Sequence, residues 1–255
     1  MRKPDMFDEI ISFLSEESEK NLLTEIDSTL AKSFFSDIEK LKVREAISDR
    51  KTDTVRGNKA TVQESSPDQG SNLARLNAIE DLVKECRKCR LHLERTNTVF
   101  GSGSPSAELM FIGEGPGKDE DLQGLPFVGR AGELLTRMIN AMQFDRKDVY
   151  IANIVKCRPP ENRNPEDDET EQCVGYLKSQ IDIIRPKVIV LLGAVPLKVL
   201  LGKTGITKIH GEWHEFQGIK TMPTFHPAYL LRNPPAKKPT WEDLKKVMAV
   251  LGKKV

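Results

Sequence analysis

Leu109-Met110-Phe111-Ile112-Gly113-Glu114-Gly115-Pro116-Gly117 places four apolar residues directly before a loop in which every second residue is glycine. A short apolar run closed by such a turn signal reads as a strand buried on both faces. Outward from it, the same theme repeats. From Gly129 to about Gln143 the spacing is helical, with Leu134, Leu135, Met138, Ile139 and Met142 on the inward face. Val149-Tyr150-Ile151-Ala152-Asn153-Ile154-Val155 reads as a second strand. Pro165 opens a further helix whose first turn, Glu166-Asp167-Asp168-Glu169, is acidic, as the helix dipole favours. Lys187 to Gly193 is a third strand, almost wholly apolar and therefore central and parallel. Ala194 to Leu201 reads as a helix, Trp213 to Thr224 as a hairpin or two strands, and Thr240 to Leu251 as a last helix. This alternation predicts an α/β fold, a three-layer α/β/α sandwich around a short, mostly parallel sheet.

Upstream, Leu73, Leu76, Ile79 and Val83 form one helical face that runs into Cys86. Before it, from Ser48 to Ser71, apolar residues thin to Val55, Ala60 and Val62, too few to offset chain entropy, so 48–71 is expected to be a flexible linker. Residues 6–46 return to helical spacing, with Phe7, Ile10, Ile11 and Leu14, then Leu23, Ile26 and Leu30, then Phe35, Ile38 and Leu41. The predicted organisation is a helical extension over 1–47, the linker, and one catalytic-sized domain over 72–255. The extension is a candidate surface for a protein partner.

The net charge of +1 hides a division, because residues 1–75 carry 12 Lys/Arg against 15 Asp/Glu while residues 201–255 carry 10 against 4. A basic C-terminal quarter suits a polyanion such as nucleic acid, or is simply a solvated lysine surface. No apolar run approaches the roughly 20 residues that span a bilayer, so no membrane partner is expected. The first residues lack a signal-peptide core, and a cytoplasmic location is expected. In a reducing compartment the four cysteines, Cys86, Cys89, Cys157 and Cys173, are better read as metal ligands than as disulfides. Cys-x2-Cys spacing with a looser second pair suits zinc and an iron–sulfur cluster equally.

In a parallel sheet, ligands sit beyond the carboxyl ends of the strands. Three polar segments fall there: Gly113 to Asp121, Asn153 with the following Lys156 to Pro160, and His226-Pro227-Ala228-Tyr229-Leu230-Leu231-Arg232. The glycine loop lacks the spacing of a dinucleotide site or a P-loop, and its acids Glu114, Asp119, Glu120 and Asp121 argue against a simple phosphate cradle. A carboxylate there suits a held water or a developing cation, or is a solvated surface acid. Asn153 offers an acceptor and donors in one plane, suited to a pyrimidine edge or to capping a strand end. His226 reads as a catalytic or a structural hydrogen-bonder, and Phe127 as core or as a platform for a flat ring.

These motifs, with the four cysteines, resemble the family 4 uracil-DNA glycosylases, iron–sulfur members of the uracil-DNA glycosylase superfamily, over about residues 73–252. The resemblance implies a partner, uracil-containing DNA, single- or double-stranded, and a monofunctional reaction that hydrolyses the N-glycosidic bond. It implies that Asn153 reads the uracil edge, Phe127 stacks on the base, and Glu120 stands near C5. It implies that His226 stabilises the departing uracil anion, while Glu114 stabilises the sugar cation or positions water. Tyr229, Leu230, Leu231 and Arg232 would meet DNA, with a leucine filling the gap left by the flipped base. Gly115 aligns where better-known members carry an aspartate, so the water-activating duty passes to Glu114 without a one-to-one match. Cys86, Cys89, Cys157 and Cys173 would hold a [4Fe-4S] cluster, with zinc as the alternative. A covalent uracil-DNA binder needs a histidine between Arg158 and Pro165, where none stands. A DNA-binding module without catalysis would need all three loops to be vestigial.

Overall fold

In the computed structural model, residues 69–254 are described. The helical extension over 1–47 and nearly all of the linker lie outside them. The first described helix, α1 (Gln69–Lys84), leads into the cysteine pair as its apolar face requires. The strand that opened the reading is β2 (Leu109–Gly113), buried at every residue. It lies between β3 (Tyr150–Asn153) and β4 (Val188–Leu192), parallel to both. β4 in turn pairs in parallel with β6 (Ile219–Thr224). Two antiparallel edges close the six-stranded sheet: β1 (Ser102–Gly103) on β3, and β5 (His214–Phe216) on β6. The short β1 was not foreseen, because two residues carry no periodicity.

Side chains along each strand alternate between two cores, and this makes the sandwich. Met110 and Ile112 of β2 join one cluster, with Leu76 and Val83 of α1, Leu177 and Ile181 of α4 (Asp167–Ile184), and Leu200 of α5 (Ala194–Leu201). Leu109 and Phe111 face the opposite cluster, with Leu135 and Ile139 of α3 (Arg130–Ala141) and Leu244 and Val247 of α8 (Lys237–Val250). Each fully buried aliphatic or aromatic side chain contributes roughly 2 kcal/mol of transfer free energy. The expected α/β sandwich with a mostly parallel sheet is therefore present.

Several boundaries differ from expectation for local reasons. α4 begins at Asp167, not Pro165, because Glu166 is its N-cap and donates its backbone N–H to Glu169 Oε2 at 2.8 Å. α8 begins at Lys237, ahead of Pro239, since proline is tolerated in a first helical turn. Outside the helices expected from the sequence lie three short ones: α2 (Lys118–Gln123), α6 (Ile206–Ile209) and α7 (Pro227–Arg232). No helix among the described residues is long and apolar enough to cross a membrane.

β2 pairs with β3 on one side and β4 on the other, so the chain changes direction across the sheet beside β2. That leaves a crevice at the carboxyl ends of these strands. Gly113, Asn153, Gly193 and His226 all lie at that rim.

Candidate active site

Asn153 is the last residue of β3 and is in register with Gly113 of β2. It is 1% exposed, yet its Oδ1 has no hydrogen-bond partner. A buried acceptor left unpaired costs about 1–3 kcal/mol, so its persistence needs a reason. The reason lies beside it. A Cβ on Gly113 would fall 2.5 Å from Asn153 Oδ1 and 2.6 Å from Phe127 Cζ, so the amide and the aromatic ring meet over this glycine.

Phe127 is a non-glycine residue at φ 54°, a conformation that survives only where neighbours enforce it. Glu120 is one enforcer. Its Oε1 accepts from the backbone N–H groups of Val128 (2.9 Å) and Gly129 (3.1 Å), while Oε2 accepts from that of Gly117 (3.1 Å). The carboxylate thus ties the glycine loop to the Phe127 turn. Arg146 adds a second hold, donating to the carbonyl of Pro126 at 2.5 Å. Sequence reading assigned Glu120 to the pocket; in the fold both of its oxygens are committed to backbone donors.

His226 closes the pocket from β6, its ring centroid 5.6 Å from that of Phe127. It caps α7, with Nδ1 accepting from the Ala228 N–H at 3.2 Å. That bond fixes the neutral tautomer with its proton on Nε2, a donor available to a ligand. Burial, helped by the charge of Arg232, lowers the imidazole to about 4, against an opposing pull from Glu120. The ring is neutral at physiological pH. Gly193, at φ +99°, lets the chain pass close, since a Cβ there would lie 3.1 Å from His226 Cβ.

Glu114 is half-buried, and burial raises its carboxyl above the usual range. Its carbonyl accepts from Val155 N–H at 3.1 Å, which holds the glycine loop against the β3 end. Gly115 is required by that approach, because a Cβ would meet Val155 Cγ2 at 2.7 Å. On α7 the four residues expected at DNA divide. Arg232 is exposed, Tyr229 and Leu231 are half-buried, and Leu230 is 1% exposed within the core. Leu230 is therefore a packing residue, and Leu231 is the leucine with surface to offer. Tyr229 stacks on Phe225 at 5.2 Å, and its hydroxyl accepts from Asn233 Nδ2 at 2.6 Å.

The four cysteines line a single cavity with Arg95, Lys156 and Tyr176. Among the described residues no three His, Cys, Asp or Glu side chains converge as ligands of a metal ion. Cys157 Sγ accepts from Arg95 Nη1 at 3.2 Å, and Cys173 Sγ from the Lys156 backbone N–H at 3.3 Å. Burial raises the thiols of Cys89 and Cys157 and pushes Cys173 up to about 12. Arg90, next to Cys89, pairs with Glu166, Asp168 and Glu169, and Arg163 pairs with Glu169. This network joins the Cys86–Cys89 segment to the Cys157–Cys173 segment independently of any metal.

Lys156 was placed at the crevice by the sequence only as part of a polar segment, with no role of its own. It is 1% exposed and donates from Nζ to the Asn153 carbonyl (3.0 Å) and Gln180 Oε1 (2.7 Å), while burial lowers it to about 7. Its only signal was a lysine inside an apolar strand end, a pattern that also fits an exposed terminus.

The sequence model of the Uracil DNA glycosylase superfamily matches residues 100–245, which include every crevice residue described above. The chain belongs to the uracil-DNA glycosylase superfamily. Among curated superfamily relatives, the type-4 uracil-DNA glycosylase of Sulfurisphaera tokodaii is 48% identical over 182 residues, covering 68% of this chain and 83% of its own. That of Thermotoga maritima is 50% identical over 160 residues, covering 61% and 82%. That of Archaeoglobus fulgidus is 42% identical over 191 residues, covering 70% and 96%. Within this superfamily member, Asn153 and Phe127 come together over Gly113, His226 stands 5.6 Å from the Phe127 ring, and Glu114 follows on the adjoining loop.

Proposed function

We propose that the crevice receives uracil flipped out of DNA and hydrolyses its N-glycosidic bond, releasing uracil and leaving an abasic site for base-excision repair. The observation that carries this reading is the unpaired, buried Oδ1 of Asn153 beside the Phe127 ring. Uracil N3–H supplies the missing donor, and the amide nitrogen donates to O4. Cytosine presents an acceptor at N3 and an amine at position 4, leaving two buried mismatches, and a polar mismatch of this kind discriminates strongly. Phe127 stacks on the base, and Glu120, which holds the Phe127 turn, lies on the C5 side.

As the bond breaks, negative charge collects on uracil O2 and positive charge on the sugar. The Nε2–H of neutral His226 donates to O2, a contact strengthened by exclusion of water. A neutral donor fits an anion that departs without taking a full proton. Ionised Glu114 faces the sugar cation and orients the water that attacks C1′. Tyr229, Leu231 and Arg232 on α7 engage the DNA, single- or double-stranded, with Leu231 filling the vacated stack and Arg232 meeting phosphate.

Cys86, Cys89, Cys157 and Cys173 would hold a [4Fe-4S] cluster. All four thiols line one cavity, a donor set that fits either group, and the resemblance to the iron–sulfur family 4 enzymes favours the cluster over zinc. Bonding to metal would deprotonate the raised thiols of Cys89, Cys157 and Cys173. Held by these four residues, the cluster would brace the segment after α1 against the loop that follows Asn153. Brown colour, iron and acid-labile sulfide in anaerobically purified protein test this assignment.

The enzymatic reading is tested on DNA carrying one uracil, followed by alkali. Strand scission at uracil is expected in single- and double-stranded substrates; its absence from both would leave a binding module and end the glycosylase reading.

A further inference from the structure

Residues 95–99 bond both to α2 and to the chain that follows β3. At one end, Arg95 donates to Cys157 Sγ at 3.2 Å and to the Lys84 carbonyl at 2.9 Å. In the middle, the backbone N–H groups of Thr96 (2.9 and 3.1 Å) and Asn97 (3.3 Å) converge on the Asp121 carboxylate, which is 3% exposed. Asn97 Nδ2 also donates to the carbonyls of Asp121 (2.8 Å) and Leu122 (3.2 Å). At the far end, Val99 N–H donates to the Lys156 carbonyl at 2.8 Å.

From this strap two paths lead to Gly113. Asp121 follows Glu120 on α2, and Glu120 holds Gly117, Val128 and Gly129, hence the strained Phe127. Lys156 donates to the Asn153 carbonyl, hence to the residue opposite. We propose that Asp121 is a positioning residue for base recognition: by holding the strap to α2 it sets the separation of Phe127 and Asn153. The inference rests on the uracil reading above. A carboxylate is the suitable group, because Oδ1 accepts from both Thr96 and Asn97 while Oδ2 takes a second bond from Thr96, where an amide would present a donor instead. Without that tie α2 is free to shift, and Phe127 relaxes toward negative φ, away from Asn153.

The test uses the full chain with its metal loaded, comparing wild type, Asp121→Ala, Asp121→Asn and Asn97→Ala. Inhibition of excision by free uracil is measured well below each melting temperature, alongside iron per chain. A displaced wall of this kind costs about tenfold or more. The expected result for Asp121→Ala is uracil inhibition weakened by about tenfold or more, with iron content unchanged. Asp121→Asn should fall between it and wild type. Exposed Asn97 can be truncated without disturbing the core, so Asn97→Ala should weaken inhibition in the same direction even if Asp121→Ala fails to fold. Wild-type inhibition constants in the folded variants, or weakened inhibition that appears only with loss of iron, overturn the proposal. If wild type itself neither excises nor binds uracil, the functional reading fails instead.

Discussion

At the residue scale, Gly113 is the position on which the pocket turns. Any Cβ there enters the space of Asn153 Oδ1 and Phe127 Cζ, so Gly113→Ala should lower uracil excision at least about a hundredfold while the fold persists. Unchanged kcat/KM would show that the two side chains do not meet across a bound base. The titrations of Glu114 and His226 separate by pH. Burial raises the Glu114 carboxyl, so its working ionised form is lost, as pH falls, at a higher pH than for an ordinary glutamate. His226 is lowered to about 4 and remains neutral throughout that range. The acid limb of the rate profile should therefore belong to Glu114 and move in Glu114→Gln, whose residual rate should be nearly flat from pH 7 to pH 5. A limb that stays in place would remove Glu114 from that role. Asn153, His226 and Phe127 were legible as candidates because an amide stood at a strand end and imidazole and aromatic groups stood in loops. The commitment of Glu120 to three backbone donors was not, since a carboxylate in a loop looks the same whether it faces ligand or chain.

At the scale of elements, the question is what keeps α1 and the start of α4 together. Glu169 is wholly buried at its side chain and takes Arg90 and Arg163 at once. Those partners hold its carboxyl down at about 2. Glu169→Ala strands two cationic donors at this junction and should cost roughly 3 kcal/mol, read as a lowered urea midpoint. It should also speed release of iron to a chelator, because the two cysteine-bearing segments lose the ion pairs that join them. An unaltered midpoint and release rate would mean the network is incidental. The acidic first turn of α4 was visible in the chain as a complement to the helix dipole. Its partner was not, because Arg90 lies 79 positions from Glu169 and no local pattern links them.

At the scale of the molecule, every residue of the crevice and the cysteine cavity lies within 69–254. A chain starting near residue 65 should therefore excise uracil at a rate within about threefold of the full chain, a difference of less than 1 kcal/mol in the barrier. Loss of activity on this truncation would assign residues 1–64 a part in catalysis. The order of strands and helices, the double burial of the central strands and the three loops at their carboxyl ends were legible from the linear chain. Apolar periodicity and glycine placement act over a few residues and leave their mark locally. Short elements such as β1 and α7 escaped, because a turn or two carries no period. Folding alone brought Asn153 and Phe127 together over Gly113, buried Leu230 while leaving Leu231 at the surface, and ran the strap from Cys157 to Asp121. Those relations join residues far apart in the chain, and their energies come from packing and desolvation, which exist only once the sheet has closed its two cores.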